Sequence, residues 1–282
     1  MSLATFAGVG AIAIWSLLAV LSRGAASIPP LQITAMSFAV SAVLGIAILA
    51  ARGELGVLRQ KPIAWLHGVG GLFGYHAFYF AALATAPAAE ANLINYAWPL
   101  LIVVFSAPIL GLSLSRWHIL GVLTGLAGCL LLLARGAEFS AGALFGYSCA
   151  FVAAIIWALY SVLSRRLASV PTGAVVGFCG ASAVLAAAAH FGFEPTVIPD
   201  LPALASVVLL GIGPVGGAFF LWDIGMKRGD PRLLGTLAYA TPVASTLILG
   251  LTGFTNLTLT VLLAAALVVA GGLIVRFAPT GR

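Results

Sequence analysis

What most constrains this chain is a succession of long apolar runs that leave almost no room for charge. They cover positions 3–24, 29–51, 63–85, 88–111, 117–134, 141–164, 172–191, 202–226, 231–252 and 256–277. A helix needs about 20 apolar residues to cross a hydrocarbon core about 30 Å thick, so each run is read as one transmembrane helix, ten in all. A membrane β-barrel would instead alternate apolar and polar residues over segments of about ten. Only 7% of the residues are charged, against about 25% in a soluble domain. Pro29-Pro30, Pro87, Arg165-Arg166 and the polar stretches 52–62, 113–116, 135–140 and 227–231 mark the boundaries. None of these connections could hold a soluble domain, so the function must be exercised within or beside the bilayer.

The first run lacks the positively charged leader of a signal peptide and has a twin deep in the chain, so it is read as helix 1. Cys129, Cys149 and Cys179 all fall inside predicted helices, where a small buried hydrophobe is the expected role. They imply neither a disulfide nor a metal site. Taking the N-terminus as one side, Arg52, Arg59, Lys61, Arg116, Arg165, Arg166, Lys227, Arg228, Arg232, Arg276 and Arg282 share it, whereas Arg23 and Arg135 fall opposite. That bias predicts both termini in the cytoplasm. The net charge of +6 therefore reports membrane topology, and no basic domain exists to hold nucleic acid.

Displacing the chain by 142 residues lays positions 11–23 over 153–165 with eight of thirteen identities, Trp15 on Trp157 and Arg23 on Arg165 among them. An offset of 143 then carries Gly68, Gly70 and Gly74 onto Gly211, Gly213 and Gly217, and Tyr96, Ala97 and Pro99 onto Tyr239, Ala240 and Pro242. Chance similarity between apolar helices explains single identities but not a steady offset through Trp, Arg, Gly and Pro. Five helices per copy is an odd number, so the second copy enters the membrane from the opposite side. The expected fold is an all-α integral membrane protein of ten transmembrane helices, two inverted five-helix repeats, 1–137 and 138–282, around a central cavity.

The segment Ile-Trp-x-Leu followed by a basic residue in helices 1 and 6, and the proline in the fourth helix of each copy, resemble the drug/metabolite transporter superfamily, whose members combine two EamA-type repeats. The resemblance covers the whole chain. Within it, segments 74–80 (GYHAFYF) and 92–99 (NLINYAWP) are similar to YddG-type aromatic amino-acid exporters. This implies a multi-pass transporter of the bacterial inner membrane that exports Phe, Tyr, Trp and analogues by alternating access. The alternative cargo is another small metabolite or a cationic drug of the same superfamily.

Inverted-repeat transporters bind substrate near the midplane, where helices are interrupted. Pro99, Pro214 and Pro242 lie mid-helix, where each removes a backbone donor, and they are the expected hinges. Tyr75, His76 and Tyr79 form one polar face of helix 3; Asn92, Asn95, Tyr96 and Pro99 follow i, i+3, i+4, i+7 on helix 4, with Trp98 adjacent. Trp157 and Tyr160 on helix 6 and Tyr239 on helix 9 complete the expected substrate-binding set. Polar groups are costly in lipid and should face inward. His76 and Trp98 are singled out because their repeat counterparts, Phe219 and Thr241, differ. Tyr/Trp walls with Asn and His suit an aromatic zwitterion, whereas phosphorylated cargo would need buried Arg or Lys clamps. The glycines are expected to serve helix packing, and Trp65, Trp117 and Trp222, near helix ends, the interfacial belt.

Glu90 and Asp223 are the acidic residues within the spans, and both have structural readings: Glu90 opens helix 4, and Asp223 lies one turn before Lys227. His76 is deep enough to couple protons, but facilitated diffusion fits equally well. His67, His76, His118 and His190 converge on no nucleophile or metal motif, so an enzyme is not expected. No filter motif suggests a channel. The partners expected are a small aromatic cargo and the bilayer, with no cofactor, and a monomer suffices.

Overall fold

The computed structural model describes residues 1–134, 137–254, 256 and 258–278, and among them there is no strand. Arg135 and Arg282, part of the charge argument, lie outside the described residues. Ten helical segments follow one another: α1 (Leu3–Gly24), α2 (Pro30–Ala51), α3 (Pro62–Thr85), α4 (Ala88–Leu110), α5 (Arg116–Leu133), α6 (Leu144–Arg166), α7 (Val175–Phe193), α8 (Leu201–Arg228), α9 (Pro231–Leu251) and α10 (Leu259–Arg276). Nine of those described are long and apolar enough to cross a membrane. The exception, α3, falls short in composition rather than length. Its 24 residues rise about 36 Å at about 1.5 Å each, but His67, Tyr75, His76 and Tyr79 lower its hydropathy.

Local chemistry fixes the helix ends. Pro30, Pro62 and Pro231 stand in the first turns of α2, α3 and α9, where the missing N–H would have had no partner anyway. Asp200 and Asp230 cap α8 and α9 by accepting the backbone N–H of Ala203 and Arg232. Gly111, at φ 69°, ends α4 in the left-handed region that favours glycine.

Four helices are interrupted midway. The breaks at Tyr96-Ala97 in α4 and Ala238-Tyr239 in α9 come just ahead of Pro99 and Pro242. Each ring crowds the carbonyl four residues earlier, that of Asn95 or Ala238, and offers it no donor. In α8, Pro214 sits within a π-helical turn, Gly213–Gly217. A break in α1 at Ser16-Leu17 has no proline. There Ser16 Oγ donates to Ile12 O at 2.9 Å, and Trp15 Nε1 donates across to Pro214 O, also at 2.9 Å. One break thus supplies a hydrogen bond to the other.

The helix pairing respects the sequence repeat. α1 packs on α8 and α3 on α6; α2 packs on α7 and α5 on α10. Exchanging the halves turns the first pair into the second and leaves the other two unchanged. Glycine relieves a tight contact at three of the six repeat positions: a Cβ on Gly68 would run into the Phe178 ring, one on Gly211 would lie 2.6 Å from Ser37 O, and one on Gly217 would lie 3.0 Å from Ile212 O within the same helix. Gly70 faces open space, while Gly74 and Gly213 would meet neighbours at ordinary distances of 3.8 and 3.6 Å. Close helix packing was expected of all six; it holds between helices at Gly68 and Gly211, Gly217 is tight only within its own helix, and Gly70, Gly74 and Gly213 have no such steric reason.

Ten of the eleven described Lys and Arg residues lie at the end of the bundle that holds the N-terminus and the C-terminal end of α10. Several tie connections together there: Arg165 donates to Gly229 O, Arg166 to Ile109 O and Arg232 to Ser113 O. Arg23, the eleventh of the described residues, is at the opposite end, where its guanidinium lies over the Phe254 ring. At that end the Glu194 carboxylate accepts the N–H groups opening α2, from Leu31 at 3.0 Å and Gln32 at 3.2 Å, and contacts His190 Nδ1 at 2.9 Å.

Candidate functional site

The breaks in α1, α4 and α8 surround a cluster of aromatic rings. Trp157 stands in the middle, its ring centroid 5.6 Å from Trp15, 5.3 Å from Tyr75, 5.7 Å from Phe219 and 6.3 Å from Trp98. Trp222 closes the far side, 5.1 Å from Trp15 and 6.0 Å from Trp98, with its indole N–H donating to Ser161 Oγ at 3.0 Å. Four of the six tryptophans therefore share one cluster. Offset and edge-on ring pairs contribute about 0.5–1.5 kcal/mol each beyond area burial, so these contacts tie α1, α3, α4, α6 and α8 together.

Two pairs in the cluster have a special relationship. Trp15 touches Trp157, its repeat counterpart, and His76 lies 6.4 Å from Phe219, its own counterpart. A residue can meet its counterpart only near the axis that exchanges the repeats. The cluster therefore marks that axis, and His76 facing Phe219 is where the exchange fails chemically.

A polar network lines one flank. The Tyr75 and Tyr79 rings are parallel, with centroids 5.7 Å apart and planes 6° from coincident. The Tyr79 hydroxyl donates to Asn92 Oδ1, and Asn95 Nδ2 donates to the Tyr75 hydroxyl at 3.1 Å. Broken α4 thus presents two amides to the two phenols of α3. Asn95 is 3% exposed, and its Oδ1 has no hydrogen-bond partner among the described residues. An acceptor left so costs about 1–3 kcal/mol, which a donor arriving with a ligand would recover. The His76 ring donates through Nδ1 to Leu72 O at 2.7 Å, which leaves Nε2 as its acceptor. Phe38 and Phe80 flank it at 5.3 and 6.0 Å. The chemistry offered is planar stacking beside neutral acceptors, with no charged side chain in the network.

Residues 2–134 and 144–277 each match the EamA-like transporter family. The chain belongs to that family. One EamA match in each half agrees with the repeat read from the sequence and with the expected superfamily. The chain is 52% identical over 274 residues to the aromatic amino acid exporter YddG of Ancylobacter novellus, covering 96% of each. It is 25% identical over 293 residues to the exporter of the same name from Salmonella typhimurium, covering 99% of this chain and 98% of the other. A solved crystal structure of a protein 50% identical superposes with a TM-score of 0.93 over 96% of both chains. An EamA protein with these apolar helices is a multi-pass membrane transporter.

Of the ten residues expected to line a substrate site, eight are contiguous: Tyr75, His76, Tyr79, Asn92, Asn95, Trp98, Trp157 and Tyr160. Tyr160 reaches the Trp157 ring at 5.3 Å but stacks its other side on His67, toward the basic end. Tyr96 and Tyr239 belong to a separate core with Val103, Cys129 and Val243, where Tyr239 lies against Gly125 of α5. They sit on the same helical stripe as Asn92 and Asn95, or on its repeat, and stand at the breaks in α4 and α9, with Tyr96 still within electrostatic reach of Tyr75 and Tyr79. Trp222, expected at the interface, is 1% exposed and part of the aromatic cluster. The continuation of α8 beyond its π turn carries it inward. Trp117 does fit an interfacial position, exposed and with Arg116 over its ring. Trp15, Phe38 and Phe219 were not among the expected site residues. Trp15 was already marked by its identity with Trp157; nothing in the sequence sets Phe38 apart from the other phenylalanines.

Proposed function

We propose that the chain exports aromatic amino acids, Phe, Tyr and Trp, across the bacterial inner membrane by alternating access. In this reading all ten helices span the membrane, as two inverted repeats, 1–137 and 138–282, with both termini cytoplasmic and the monomer as the working unit. A central cavity opens beside the aromatic cluster as the helices bend at Pro99, Pro214 and Pro242. The cargo's ring stacks on Tyr75, Tyr79, Trp98 and Trp157, and its ammonium donates to Asn95 Oδ1 and His76 Nε2. In that bending movement Tyr96 and Tyr239, packed behind the breaks in the present conformation, turn into the cavity, while Asn92 holds the Tyr79 hydroxyl and Tyr160 backs Trp157. The name of the relatives at 52% and 25% identity supports the cargo, and the basic bias of one end supports the orientation.

The observation that carries the reading is the buried Asn95 Oδ1 without a partner beside parallel tyrosines. The fold leaves that oxygen without a donor beside the aromatic cluster, where an amino group would complete it. Purified protein in liposomes tests the proposal. Saturable transport of tryptophan or phenylalanine is expected, with competition among Phe, Tyr and Trp. Transport of lipophilic cations without saturable amino-acid transport would transfer the assignment to a drug exporter.

A further inference from the structure

Between the aromatic cluster and the basic end lies a group of polar side chains of which the reading above uses only Tyr160. Asp223 and Lys227, one turn apart on α8, are 4% and 8% exposed. Asp223 Oδ2 accepts from Lys227 Nζ at 2.8 Å and from the Thr172 hydroxyl at 2.6 Å, and Lys227 Nζ also donates to Val170 O at 2.8 Å. With His67, Tyr160 and Phe178 they line a cavity of about 10 Å³ between α3, α6, α7 and α8. Tyr160 stacks on the His67 ring at 4.9 Å. Ser164 Oγ donates to Tyr160 O and so accepts from His67 Nε2, which leaves His67 Nδ1 as that ring's acceptor. Trp222, the residue before Asp223, already belongs to the aromatic cluster.

The repeat argues that this group is more than scaffold. Burying two charges is expensive even when they pair, and apolar side chains of similar volume often serve stability as well or better. The first half of the chain takes that course: Asp223 and Lys227 correspond to Phe80 and Ala84, Tyr160 to Leu18, and His67 to Leu210 in the second half. One fold is thus built once with these polar groups and once without them. What the pair adds is a positive and a negative charge held apart by one helical turn, in a pocket with aromatic walls.

We infer that this is a second binding subsite, at the basic mouth of the transport path, which receives the zwitterionic head of an α-amino acid: Asp223 takes the ammonium, Lys227 the carboxylate, and Tyr160, Phe178 and His67 the ring. It rests on the proposal that the cargo is an aromatic amino acid. In the present conformation the two charges satisfy each other, and the cavity has room for about one water molecule. A zwitterion exchanges one internal ion pair for two with itself, so no buried charge is left alone with or without cargo. A ligand carrying a single charge would strand Asp223 or Lys227, and the subsite therefore selects against it before it reaches the aromatic cluster.

The test measures KM in proteoliposomes for tryptophan, for its methyl ester, which lacks the carboxylate charge, and for indole-3-propionate, which lacks the ammonium, each supplied at the basic end. The wild-type protein should prefer tryptophan to both. Lys227→Met should raise KM for tryptophan by about tenfold, the loss of one charge-assisted hydrogen bond, and bring it level with the ester. Asp223→Asn should raise it by a similar factor and narrow the preference over indole-3-propionate to the part that Asn95 and His76 supply. The double variant Asp223→Leu/Lys227→Met removes both charges together, which favours folding, and should lose discrimination against the ester while keeping against indole-3-propionate only the part that Asn95 and His76 supply. Because each readout is a ratio, it does not depend on how much protein is inserted. Wild-type ratios in these variants would overturn the subsite alone. Absence of saturable tryptophan transport by the wild-type protein would overturn the cargo assignment and the subsite with it.

Discussion

Replacing Asn95 by leucine separates binding from folding. In the unliganded protein its Nδ2 makes one neutral hydrogen bond, to the Tyr75 hydroxyl at 3.1 Å, and its Oδ1 makes none. Asn95→Leu forfeits a bond with a net value of about 0.5–1.5 kcal/mol and relieves a buried acceptor whose desolvation costs about 1–3 kcal/mol. Those terms nearly cancel, so the melting temperature should change little. With cargo bound they do not cancel, because Oδ1 then accepts from an ammonium. A hydrogen bond to a charged group contributes about 1.5–3 kcal/mol, so Kd should rise about 10- to 150-fold. Equilibrium binding of radiolabelled phenylalanine to purified protein reads the Kd, with thermal unfolding as the companion measurement. Asn95→Asp sharpens the test, since a carboxylate there is stranded without cargo and paired with it; its affinity should fall as the carboxylate protonates on acidification. A Kd within threefold of wild type in a leucine variant that folds normally would refute the role of Asn95.

Other substitutions probe the scaffold and the remaining site residues. Tyr79→Ala and Trp98→Ala should each depress transport while leaving folded protein, and unchanged kinetics in both would dismiss the aromatic site. Gly71→Leu places a side chain where even a Cβ would strike the Tyr160 ring, so overpacking should cost about 1–3 kcal/mol, measurable as a lower unfolding temperature. Glu194→Ala removes the acceptor of the first N–H groups of α2, at about 1–3 kcal/mol, and hydrogen exchange across 194–200 should quicken. If His76 couples protons, His76→Ala should flatten the pH profile of transport; an unaltered profile would remove that role.

Membership of the aromatic site was legible in the sequence wherever helical periodicity held and failed where the backbone departed from it. Tyr75, His76 and Tyr79 lie on α3, which is unbroken over 24 residues, and the face deduced from their spacing is the one that meets Asn92, Asn95 and Trp157. Tyr96 and Tyr239 stand at the breaks themselves. The prolines announced that α4 and α9 would be interrupted, but a spacing rule that assumes about 3.6 residues per turn cannot carry a side chain's direction across the interruption. Trp222 failed for a related reason. Its nearness to the end of α8 suggested an interfacial belt, whereas the π turn at Gly213–Gly217 resets the helix and brings the indole against Trp15 and Trp98. The break in α1 at Ser16-Leu17 had no glycine or proline to announce it; its partner, the carbonyl of Pro214, is 199 residues away.

The repeat explains why asymmetry concentrates where it does. A scaffold whose halves exchange about an axis presents every group twice, and a ligand bound on that axis would meet the same chemistry from both sides. An amino acid has different ends and cannot be recognised that way. Somewhere near the axis the halves must therefore differ: Trp15 meets an identical Trp157, but His76 confronts Phe219, and Asn95, by the same offset, corresponds to Ala238. Substituting His76→Phe would restore the local symmetry while keeping an aromatic ring in place. Tightly packed rings tolerate a swap of similar volume at a cost below about 1.5 kcal/mol, so the variant should fold. Its phenylalanine binding should weaken by about 10-fold, the value of one acceptor for a charged donor, whereas stacking analogues without an amino group should bind as before. Equal losses for both ligand types would mean that His76 shapes the cavity and does not distinguish its ends.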